Sequence, residues 1–126
     1  MQRRRDTAQD EATAELRRRH DAAPWLREHS PEVKSMRLVF EEERADGGTS
    51  ARSYARPYVV ESARAHFEVR CLEPRCDGVH DLTATILLAI NKRRTFDRVR
   101  SSCEGSINNV PCNRTLICTF EIGYRE

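Results

Sequence analysis

The residues of this 126-residue chain whose spacing could do chemistry are its cysteines, five in all. Four of them form two pairs, Cys71 with Cys76 and Cys103 with Cys112, and each pair sits where an apolar strand runs into a polar turn. Structural zinc takes four such ligands in a tetrahedron, contributed by two separated pairs on tight turns. The segment Cys71-Leu-Glu-Pro-Arg-Cys76-Asp-Gly meets that demand: Pro74 favours the turn and Gly78 relieves the backbone after the second sulfur. Cys103-Glu-Gly-Ser-Ile-Asn-Asn-Val-Pro-Cys112 is a looser knuckle, with Gly105 two residues after its first sulfur as Gly78 is two after Cys76.

Other ligand sets stay open at this level. His80, four residues after Cys76, could supply a ligand beside Cys71 and Cys76, or simply flank the helix cap at Asp81. Cys118 lies between Leu116 and Phe120 on the apolar face of a strand and reads as core. Bridging the cysteines in pairs would require an export route, and the arginines near the N-terminus are not followed by the apolar stretch of a secretory signal. A reducing cytoplasm is therefore expected, where cysteine clusters more often hold metal.

The elements that must position these sulfurs can be read from periodicity. Residues 34–43 alternate Met36, Leu38 and Phe40 with Arg37, Val39 and Glu41, which predicts a strand with one buried face. The stretch 44–56, rich in Gly, Ser, Ala and Arg, reads as a mobile loop, and a second strand is expected from Tyr58 to Cys71. Asp81 is placed to cap a helix over 82–94, whose stripe is Leu82, Ile86 and Ile90. A strand over 95–102 leads into Cys103, a loop over 104–111 carries the chain to Cys112, and a last strand over 114–125 alternates cleanly. The expected fold is α+β: an antiparallel sheet of about four strands with one packed helix. Residues 1–30 are expected as a solvated helical or disordered tail, with Trp25 as a lid on the core edge, and residues 31–126 as one domain.

A chain that is 38% hydrophobic and 33% charged buries a thin core, and small domains of this kind commonly need a metal or disulfide staple. The longest apolar run, around Ile86 to Ile90, falls far short of the ~18 residues that cross a membrane. The net charge of +2 gives no global attraction to nucleic acid. Local clusters matter more: Lys92, Arg93 and Arg94 end the helix, where cations meet the negative end of its dipole, and Arg98, Arg100 and Arg114 lie near the second knuckle.

The two cysteine pairs and their flanking strands, residues 67–120, resemble the zinc-ribbon group of small domains, in which paired cysteines on two β-hairpin turns clamp one zinc. Two features differ: the spacings x4 and x8 are wider, and a full helix separates the pairs. The resemblance implies Cys71, Cys76, Cys103 and Cys112 as the ligands, and a zinc that stabilises the fold without an open position for substrate. Gly-rich phosphate loops, His-Glu-x-x-His and partnered nucleophiles are absent from the sequence, and no small-molecule site is legible; His20, His29 and His66 read as surface residues. A zinc enzyme would need an open coordination position. The expected function is non-enzymatic. Because zinc ribbons often belong to transcription and translation machinery, the resemblance favours a nucleic-acid or ribonucleoprotein binding module, with Lys92, Arg93, Arg94, Arg98, Arg100 and Arg114 as contacts. A protein-interaction adaptor is the alternative.

Overall fold

The structure, a computed structural model, describes residues 2–43 and 49–126. Eleven elements follow one another: α1 (Gln2–Ala22), α2 (Leu26–His29), β1 (Val33–Glu43), β2 (Thr49–Tyr58), β3 (Glu68–Arg70), β4 (Val79–Asp81), α3 (Thr83–Asn91), β5 (Phe96–Ser102), β6 (Ser106–Ile107), β7 (Val110–Pro111) and β8 (Thr115–Tyr124). The main sheet has four antiparallel strands in the order β2-β1-β8-β5. The central pair is in the register that its alternation demands, Met36 opposite Ile122, Leu38 opposite Phe120 and Phe40 opposite Cys118. These residues share one face, and all six are buried.

That face is covered by α3, through Ile86, Ala89 and Ile90, and by the chain leading into β3, through Val60, Ala65 and Phe67. Leu26 is fully buried in the same core, so the chain is anchored before residue 30. Trp25 is half-buried at the edge, with the Arg64 guanidinium 3.6 Å from its ring centroid. Asp81 accepts from the Thr83 backbone N–H at 3.1 Å, satisfying one of the orphan donors at the start of α3. The helix ends at Asn91, three residues earlier than the composition predicts. Arg93 takes φ 55°, so its N–H reaches Ile90 O and that of Arg94 reaches Ala89 O, a Schellman ending that turns the chain towards β5.

Two expectations are corrected. Residues 49–56 belong to β2, not to a loop, while residues 44–48 lie outside the described residues. Of the strand expected over Tyr58–Cys71, only Glu68–Arg70 is regular, paired with β4. Val60, Ala65 and Phe67 are buried against the core from an irregular segment, so the alternation of Ala65 and Phe67 reports burial without a ladder.

Candidate metal centre

Each cysteine pair closes a hairpin turn. Cys71 follows β3 directly and Cys76 precedes β4; the Cys71 N–H donates to Gly78 O at 3.0 Å and the Cys76 N–H to Glu73 O at 3.0 Å. Cys103 follows β5 and Cys112 precedes β8, with the Cys103 N–H on Arg114 O at 2.8 Å and the Cys112 N–H on Gly105 O at 2.9 Å. Between the latter two cysteines, β6 and β7 form a small hairpin whose turn, Asn108-Asn109, has φ 52° and 65°. Positive φ at both central residues is the two-residue turn geometry that Asn tolerates and that matches strand twist. The loop expected over 104–111 is therefore an ordered hairpin.

The two turns are locked face to face. Asp77 N–H donates to Ser106 O at 3.3 Å, and Ser106 N–H returns to Asp77 Oδ1 at 2.8 Å. A Cβ on Gly105 would lie 2.4 Å from Gly78 Cα, and one on Gly78 would lie 2.5 Å from Cys103 Sγ. Only residues without a side chain permit this approach.

The result brings all four sulfurs of Cys71, Cys76, Cys103 and Cys112 within 4.8 Å of one another. Cys76 and Cys103 sulfurs are 3.5 Å apart, and those of Cys71 and Cys112 are 3.8 Å apart. Zinc–sulfur bonds of about 2.3 Å at tetrahedral angles require sulfur separations of about 3.8 Å. Both distances lie far beyond the ~2.05 Å of a disulfide, and all five cysteines are free thiols. Four soft donors at this spacing fit a zinc-like ion, and these residues would hold it. Cys76, Cys103 and Cys112 are buried and Cys71 is half-buried.

The electrostatics agree. Burial pushes the Cys71 thiol up to about 11, and it pushes Cys76 up further. Thiols pushed up, as those of Cys71 and Cys76 are, stay protonated unless a cation neutralises them. Cys112 moves the other way: burial pushes it up, but hydrogen bonds from the Arg114 guanidinium and backbone N–H outweigh that and hold it below the ordinary thiol value. Arg114 Nη1 lies 3.6 Å from Cys112 Sγ, and the Gly78 N–H lies 3.3 Å from Cys76 Sγ. Such donors stabilise the negative charge that thiolates place on the ion.

Arg114, one of the arginines expected as partner contacts, is part-buried and turned towards carboxylates of the fold. Its Nε lies 2.6 Å from Glu42 Oε1 on β1, and its Nη2 lies 3.7 Å from Glu73 Oε2. Glu73 is almost wholly buried and also meets Arg75 Nε at 2.9 Å. Arg114 therefore ties the first knuckle, the second knuckle and the main sheet together. No local pattern marks these partners, because Glu42 and Glu73 are distant in sequence.

The other expected contacts are scattered. Arg94 pairs with Asp97 at 3.1 Å, Arg100 reaches Glu43 at 2.9 Å, and the Arg93 guanidinium lies 5.5 Å from the Tyr124 ring centroid. Lys92 caps α3 and Arg98 projects from β5, both exposed. His80 is not among the clustered donors: it is buried on β4, with Nδ1 2.8 Å from Ser101 Oγ. Cys118 is fully buried between its cross-strand partners Phe40 and Val99, its thiol pushed up to about 12 by burial. His66 differs from the surface position expected of it: it is largely buried, its Nε2 3.2 Å from Glu68 Oε1 but without hydrogen-bond alignment. Glu68 is instead held by Arg19 of α1 through bonds of 2.9 and 2.7 Å.

Compared with family models, curated proteins and solved structures, the chain matches none significantly. Among the described residues no helix is long and apolar enough to cross a membrane.

Proposed function

We propose that this chain is a small non-catalytic protein-interaction domain, an adaptor whose structural zinc staples two hairpin turns beneath its binding surface. The convergence of four cysteine sulfurs on one point supports the structural-zinc part of this reading. Among the described residues no His, Asp or Glu joins that cluster. Four thiolates complete a tetrahedron and leave no position for water or substrate, so the ion stabilises and does not turn over. Five free thiols fit a reducing compartment such as the cytoplasm.

The arginine partners support a protein ligand over nucleic acid. Phosphate contacts need cations free to replace counterions. Arg94, Arg100 and Arg114 already face carboxylates, so a phosphate would have to compete with Asp97, Glu43, Glu42 and Glu73. Two measurements test the reading. Labelled RNA and DNA oligonucleotides should not shift with the zinc-loaded protein at low salt; a shift removed by salt would replace the adaptor with the nucleic-acid module. A photo-crosslinking residue at position 96, where Phe96 is 60% exposed, should yield a discrete protein adduct in cells.

A further inference from the structure

The edge of the main sheet at β5 has a specific polarity. Cys103 N–H bonds to Arg114 O, and Ile122 N–H bonds to Thr95 O. Both fall on the β5–β8 register in which Val99 faces Cys118. In an antiparallel ladder the hydrogen-bonded pairs alternate, so residues 97, 99 and 101 exchange backbone bonds with β8. The N–H and C=O groups of Phe96, Arg98, Arg100 and Ser102 consequently point away from the sheet. Among the described residues a single bond meets them, from Arg98 N–H to Asp97 Oδ1 at 2.8 Å. The side chains of the same four residues are exposed on the sheet face opposite the core.

We propose that β5 is a docking edge for an extended acidic peptide segment of a partner protein, which adds as a fifth, antiparallel strand. The backbone groups of Arg100 and Ser102 supply the ladder, and main-chain bonds of this kind give affinity while side chains give selectivity. Arg98 and Arg100 stand two residues apart on one face, so they meet side chains that alternate at the same period. Carboxylates opposite them are favourable and like charges are unfavourable. The same charges select against a second copy of this chain: antiparallel pairing of β5 with itself about Val99 would set Arg98 opposite Arg100 at two positions. Exposed Phe96 offers an apolar anchor at the start of the strand. Arg100 is already held by Glu43, so a carboxylate arriving there competes with Glu43 as a phosphate would, and Arg98, with no carboxylate partner among the described residues, carries the charge selectivity while Arg100 contributes its backbone groups.

This inference rests on the protein-interaction reading, and its test separates the two. The zinc-loaded, isotope-labelled chain is titrated with a ten-residue peptide alternating Glu with Val and Thr, and with the same peptide carrying Lys for Glu. The acidic peptide should shift the amides of residues 96–102 and slow hydrogen exchange at Arg100 and Ser102, binding about tenfold more tightly than its Lys counterpart. Arg100→Pro removes an N–H that points to solvent and is tolerated on an edge strand, so it should retain zinc and abolish binding. If that variant loses zinc, the double variant R98E and R100E serves instead and should reverse the peptide preference. Equal binding of both peptides, shifts confined to other strands, or self-association through β5 would overturn the inference. Failure here alongside a protein crosslink at position 96 would leave the adaptor reading standing. Shifts of β5 by an RNA oligonucleotide alone would remove both.

Discussion

Replacing Gly105 by Ala tests whether the metal centre depends on backbone contact between its two turns. Gly105 has no positive φ, so the substitution acts through contact alone. The new Cβ would sit 2.4 Å from both Gly78 Cα and Gly78 N, where ordinary contact begins at 3.4 Å. These are backbone atoms that cannot rotate away, so the turns must separate by about 1 Å. Metal–ligand distances tolerate only about 0.2 Å, and the turns carry two sulfurs each. Overpacking of this kind costs about 1–3 kcal/mol in the fold itself. The larger effect falls on the metal: competition with a chromogenic chelator should show affinity at least about tenfold to a hundredfold weaker, the scale of losing support around a ligand. Gly123→Ala is the matched control. Its Cβ would meet Ser35 Oγ at 2.4 Å, but that hydroxyl can rotate, and the remaining contacts are 3.7 and 3.9 Å. It should keep wild-type zinc affinity. A Gly105→Ala protein that binds zinc as tightly as Gly123→Ala would refute the contact argument.

Four further outcomes are expected. Removing zinc with a strong chelator should lower the melting temperature by about 10 °C or more, since an ion at a thousand times its dissociation constant contributes about 4 kcal/mol; an unchanged melting curve after verified metal loss would contradict a structural role. Arg114→Met should weaken zinc binding about tenfold to a hundredfold by withdrawing the donor on Cys112 Sγ, while Arg98→Met should leave it unchanged. Cys118→Ala should retain one zinc, whereas Cys118→Ser should cost about 1–3 kcal/mol more, because a hydroxyl at a fully buried site lacks water. Burial holds His80 below the ordinary imidazole value. The unfolded chain therefore binds the proton first: this stability is fully present above pH ~6.5 and is lost as pH falls through the folded value. His80→Asn, with zinc loading held constant, should flatten that part of the denaturation profile; an unaltered profile would place the dependence elsewhere.

The sulfur set was legible because metal chemistry restricts residue type, and because Gly78 and Gly105 repeat the same offset from Cys76 and Cys103. β1 and β8 were legible because one face of each is buried, which writes period two into Met36-Leu38-Phe40 and Leu116-Cys118-Phe120. β2 was not, since Thr49–Tyr58 is a Ser-, Ala- and Arg-rich edge strand defined by its pairing with β1 and not by an apolar pattern. The Asn108-Asn109 turn carries a readable signal, two residues tolerant of positive φ between two short β-prone pairs, which distinguishes a hairpin from the loop expected over 104–111. The partners of Arg94, Arg100 and Arg114 were a different case. A run of cations looks alike whether solvated or paired, and Glu42 and Glu73 reach Arg114 only through the fold.

The most direct test of the account is the metal content of the purified protein beside Cys71→Ser and Cys112→Ser. The two cysteines come from different hairpins, yet their sulfurs lie 3.8 Å apart. One tightly held zinc per wild-type chain is expected, with loss of stoichiometric zinc in both variants. Retention of a full zinc by either variant, or a wild-type chain that takes up none, would contradict it.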